Sequence, residues 1–144
     1  MFTKILFCTD FSATADKAFK YAVRAASRNA AKLFILHVAP EADAQFWKGY
    51  VYEDEGQDPE DKALRALREK VEAAYAPAIP EGVEWESALR AGAAAEQILA
   101  FARENAIDLA VLGRQGAGGV RDLFFGNVAA KVAKAIPCPV LIVP

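Results

Sequence analysis

The chain has 144 residues, of which 54% are hydrophobic and 25% charged, a balance that supports one packed core and excludes a disordered chain. Its 17 basic and 19 acidic residues leave a net charge of −2, which gives no cationic surplus for gripping a nucleic-acid backbone. No apolar run approaches the ~20 residues that cross a bilayer, and the short opening run meets Asp10 too soon for a signal peptide.

Two hydrophobic periodicities alternate along the chain. Residues 4–8 are a short apolar run, read as a strand buried on both faces. Ala15, Ala18, Phe19, Ala22, Val23 and Ala26 then recur at helical spacing, with Lys17, Lys20, Arg24 and Arg28 on other faces and Ser12 placed as N-cap. Residues 33–38 form a second buried strand. The stretch 40–59 carries Phe46, Trp47, Tyr50 and Tyr52 among many acids, and connections that long tend to be lids, partner surfaces or disorder. A helix follows over 60–75, with Leu64, Leu67, Val71, Ala74 and Tyr75 on one face, stopped by Pro77 and Pro80.

Residues 83–89 alternate as a strand with one wetter face, which suits a sheet edge. Next come a helix over 93–105, a buried strand over 108–112, a glycine-rich loop, a helix from about 127 to 135 and a closing strand over 139–143. Such alternation of strand and helix predicts one α/β domain over 1–144: an open parallel five-stranded sheet with helices on both faces, Rossmann-like. Sheets of this kind bind ligands beyond the carboxyl ends of their strands, where the winding reverses. The places to search are therefore Thr9 and Asp10, Val38 and Ala39, and Gly113 onward.

The glycine-rich loop carries the strongest chemical signal. Gly113, Gly116, Gly118 and Gly119, four of the nine glycines, fall just after an inner strand, and Gly126 with Asn127 opens a helix. Glycine lets backbone N–H groups approach a ligand closely, and successive N–H groups plus a helix N-terminus form an anion cradle. A plain surface loop is the competing reading. The loop is not a Walker A, which requires Lys and Ser or Thr after the last glycine, nor the dinucleotide fingerprint, which follows the first strand. The first strand instead ends in Thr9, Asp10, Phe11 and Ser12. A phosphorelay receiver would need clustered acids there.

Gly113, Gly116 and Gly126 reproduce the spacing Gly, two residues, Gly, nine residues, Gly, and in this the loop resembles that of the universal stress protein family, specifically its ATP-binding subgroup. Asn127 stands where that subgroup has Ser or Thr, and Cys8 where proline is common. The opening through Ser12, the His37-Val38 strand end and the final segment 137–143 match as well. The resemblance implies an adenine nucleotide alpha hydrolase-like fold and a stress-response regulator that binds ATP or another adenine nucleotide, with or without Mg²⁺. It places Asp10 beside the adenosine, Cys8 and Val38 along the base pocket, and Leu112 and Gly113 near the ribose. Gly116, Gly126, Asn127 and Val128 would meet the phosphates. It further implies a homodimer paired through Val140, Leu141, Ile142 and Val143.

Asp10 also has a physical rationale: a carboxylate at a strand end accepts hydrogen bonds from ribose hydroxyls or an adenine amino group. Its alternative role is a cap for the first helix. Arg114 and Arg121 flank the cradle, as phosphate partners or as solvated surface cations. Cys8 and Cys138 belong to no metal-spaced or disulfide framework, which suits a reducing cytoplasm. The single histidine, His37, reads as a packed strand-end residue, with no zinc set around it. Two other functions stay open: a dimeric interaction module that binds no nucleotide, and a slow ATPase, for which no base suggests itself.

Overall fold

The computed structural model describes residues 1–40, 59–114 and 125–144. The aromatic stretch with Phe46, Trp47, Tyr50 and Tyr52, and Gly116, Gly118, Gly119 and Arg121 of the glycine-rich loop, lie outside the described residues.

Five strands, β1 (Lys4–Thr9), β2 (Lys32–Ala39), β3 (Trp85–Ala91), β4 (Leu109–Gly113) and β5 (Val140–Val143), form one parallel sheet in the order β3-β2-β1-β4-β5. Among the described residues four helices connect them: α1 (Ala13–Asn29), α2 (Pro59–Tyr75), α3 (Ala94–Glu104) and α4 (Phe125–Ala135), with a short 3-10 turn (Ala76–Ala78) after α2. The expected class and both edge strands are found. The winding reverses between β1 and β4, so the crevice expected of such sheets opens beyond Thr9 and Gly113.

The continuous apolar runs of β1, β2 and β4 arise because successive side chains enter two different cores. Ile5, Phe7, Leu33, Ile35 and Val111 face α1 and the end of α2, where they meet Ala15, Ala18, Phe19, Ala22, Val71 and Tyr75. Leu6, Cys8, Phe34, Leu36, Ala110 and Leu112 face α3 and α4, where they meet Ile98, Phe101, Ala102 and Val132. On the first side Phe7, Phe19 and Tyr75 form an aromatic trio with ring centroids 4.8 to 5.3 Å apart.

Ser12 caps α1 as expected, its hydroxyl accepting from the Ala15 amide at 3.1 Å. The alternation read at 83–89 lies two residues early. The Val83 N–H donates to the Pro80 carbonyl and closes the turn over Glu81 and Gly82, and the β2–β3 ladder begins with Trp85 opposite Leu33. Likewise α4 begins at Phe125, which puts Asn127 third in the helix. Among the described residues, no helix is long and apolar enough to cross a membrane.

Candidate functional site at the carboxyl end of the sheet

The exit from β1 is built from two consecutive side-chain-to-backbone turns. The Thr9 hydroxyl accepts from the Phe11 amide at 2.9 Å, and Asp10 Oδ1 accepts from the Ser12 amide at 3.0 Å. Between them Phe11 adopts a left-handed conformation, with φ of 64°. For a bulky residue that conformation costs on the order of 1–2 kcal/mol, so it persists only where surroundings impose it. Three side chains supply those surroundings: the Phe11 ring lies 4.7 Å from the His37 ring, nearly parallel to Tyr75 at 6.4 Å, and under the Lys70 ammonium at 4.3 Å.

Helix α1 therefore starts with Ser12 as its cap, and the Asp10 carboxylate serves the turn that precedes it. Asp10 is only partly buried, so a group at the mouth of the crevice can reach it.

On the β4 side, Gly113 is the last residue of its strand and pairs with Val143. A Cβ there would stand 3.0 Å from both the carbonyl carbon and Cγ2 of Thr14. The first turn of α1 packs against β4 so closely that only glycine fits without a shift. Gly113 thus has a packing reason as well as a place at the crevice.

Four of the expected site residues share one apolar cluster. Cys8 and Leu112 are buried within it, while the half-buried Val38 and Val128 pack against its rim. Burial pushes the Cys8 thiol pKa far up, which keeps it protonated and unreactive. Gly126 lies in the backbone of the first turn of α4, and the next residue, Asn127, is exposed. The final strand leaves Leu141 exposed, Val140 and Ile142 half-buried, and Val143 buried. Among the described residues no group of three His, Cys, Asp or Glu side chains stands together to hold a metal ion.

His37 does structural work here. Its Nδ1 lies 2.8 Å from the Thr9 carbonyl, which can only accept, so the neutral ring donates from Nδ1. Burial is the main cause that lowers its pKa, and Lys70 adds to it. The Thr9 bond and Asp10 oppose the shift without cancelling it. The unfolded chain, with an ordinary imidazole pKa of about 6.5, therefore binds the proton more readily than the folded one. Stability is expected to fall as pH drops below that value and to level off below the folded pKa. Denaturant titrations from pH 8 to 5 check this. Wild type should lose stability relative to His37→Gln on acidification, and parallel curves would rule His37 out as the group responsible.

Thr9 was named with Asp10 as a place to search, while Phe11, Lys70 and Tyr75 escaped the sequence reading as parts of this site. Tyr75 was legible only as an apolar-face helix residue, and nothing local marks Phe11 for a left-handed conformation.

Comparison with known proteins agrees with this architecture. The model of the universal stress protein family matches residues 1–144. The universal stress protein YxiE of Bacillus subtilis is 34% identical over 147 aligned positions, covering 99% of each chain. Among solved structures, a universal stress protein UspA from Lactobacillus plantarum superposes with a TM-score of 0.74 at 25% identity, covering 99% of this chain and 98% of that one. A universal stress protein solved in complex with cAMP gives 0.64 at 26% identity, covering 99% and 97%. With a match running from the first residue to the last, the chain belongs to the universal stress protein family.

Proposed function

We propose that this protein is a stress-response regulator that binds an adenine nucleotide, ATP in the first instance, in the crevice between β1 and β4. The observation that carries the reading is the Asp10 carboxylate, fixed by the Ser12 amide at the winding reversal of the sheet. It is supported by the related protein of known structure that is a complex with cAMP. In this arrangement Asp10 accepts hydrogen bonds from the ribose or the adenine amino group. Val38 flanks the base over a floor of Cys8 and Leu112, Gly113 stands near the ribose, and Val128 belongs to the helix end that meets the phosphates. Gly116, Gly126 and Asn127 would take the phosphates. Asn127 donates through its amide where a hydroxyl is usual, which makes phosphate contact the variable part of the site and favours, as second reading, a module that binds no nucleotide.

Calorimetric titration with ATP and Mg²⁺, ADP and AMP tests the proposal. Saturable heat with at least one of them is expected, and no heat from any at millimolar concentration would leave the non-binding module standing.

The protein acts, on this proposal, as a cytoplasmic homodimer joined along β5. Among the described residues that strand is a sheet edge paired only with β4, and Leu141 is one of their few exposed large hydrophobics. Sedimentation at micromolar concentration should give a dimer, and Leu141→Lys should shift it towards monomer. A wild-type monomer would remove the dimer from the proposal.

A further inference from the structure

The turn that presents Asp10 is tied to a residue far away in sequence. Tyr75, the last residue of α2, is almost fully buried, and its hydroxyl lies 2.5 Å from Thr9 Oγ1 and 2.9 Å from Asp16 Oδ1. Asp16 belongs to the first turn of α1.

Donor accounting gives this network a direction. An ionised carboxylate only accepts, so Tyr75 donates its single proton to Asp16. The Thr9 hydroxyl must then donate to Tyr75 Oη, which leaves Thr9 Oγ1 to accept from the Phe11 amide. The chain reads Phe11 N–H to Thr9, Thr9 O–H to Tyr75, Tyr75 O–H to Asp16. Hydrogen bonds in such series polarise one another.

Tyr75 holds the same turn a second time through its ring, which stacks on Phe11. Without these two anchors Phe11 keeps only its contacts with His37 and Lys70, and the aim of the Ser12 amide at Asp10 is held less firmly. Burial raises the Tyr75 pKa, so the hydroxyl keeps its proton across the physiological range.

We propose that Tyr75 is a positioning residue of the nucleotide site, pre-organising Asp10 through the Thr9–Phe11 turn. The inference rests on the nucleotide reading given above and adds to it a group that does not touch the ligand. Preorganised sites bind more tightly because the ordering cost is met before the ligand arrives.

The test compares Tyr75→Phe, which removes the hydroxyl and keeps the ring, with wild type in calorimetric titrations with ATP and Mg²⁺ and with AMP. An affinity about three- to tenfold weaker is expected, the range that one net hydrogen bond supplies. Leu33→Val, in the same core but at the opposite end of the sheet, controls for stability alone. It should lower Tm and leave affinity unchanged.

A double-mutant cycle with Asp10→Ala supplies the readout that a purely structural role would not move. If Tyr75 acts through Asp10, the double variant binds no worse than Asp10→Ala alone. Tyr75→Phe that lowers Tm but keeps wild-type affinity overturns the inference while the nucleotide reading stands, and so does simple additivity in the cycle. Wild-type protein that binds neither nucleotide overturns both, the nucleotide reading first.

Discussion

Phe7→Ala is expected to destabilise the protein by about 3–5 kcal/mol. The side chain is completely buried in the middle of β1 and meets Phe19 at 5.3 Å and Tyr75 edge-on at 5.2 Å. Alanine would leave a ring-sized void between sheet, α1 and α2, and would forfeit the tilted contact with Phe19 and the edge-on contact with Tyr75, aromatic pairs of a kind worth about 0.5–1.5 kcal/mol. Against a total stability of roughly 5–15 kcal/mol for an ordinary domain, that loss is visible as a large drop in the urea midpoint. A change smaller than about 1 kcal/mol would mean that the trio is not the centre of this core.

Asp10→Ala has the largest expected effect on binding. Hydrogen bonds to a charged group contribute about 1.5–3 kcal/mol each, so losing the carboxylate should weaken adenine-nucleotide affinity by roughly ten- to a hundredfold. The side chain is only partly buried, and the helix cap belongs to Ser12. Asp10→Asn separates the two contributions, since an amide oxygen can still accept from the Ser12 amide while the charge is gone. Calorimetry should rank wild type above Asp10→Asn and Asp10→Ala last. Equal affinity in all three would show that the ligand sits elsewhere.

The sheet was legible because its inner strands are buried on both faces, which writes residues 4–8 and 33–38 as unbroken apolar runs. Element ends were less legible. Alternation at Val83 and Glu84 imitates strand, yet the Val83 amide closes the preceding turn; only pairing with β2 decides where β3 starts. Of the site, Asp10 and Gly113 could be found from their place after strands, and Ser12 from its chemistry as a cap. Tyr75 and Lys70 could not, because they reach the β1 exit from a helix some sixty residues along the chain. Helical periodicity assigns Tyr75 to the core, correctly, but says nothing of where its hydroxyl points. The left-handed Phe11 follows from the packing of three side chains, His37 of β2 and Lys70 and Tyr75 of α2, around it, and no local propensity anticipates that.

The most direct test of the account is an amide-resolved NMR titration of ¹⁵N-labelled protein with ATP and Mg²⁺. Saturable shifts are expected at Asp10, Phe11, Ser12, Gly113 and Arg114, with the opposite end of the sheet, at Lys4, Lys32 and Leu109, unmoved. Shifts that concentrate at that opposite end, or none at all while ATP is raised to millimolar levels, would contradict a nucleotide site between β1 and β4.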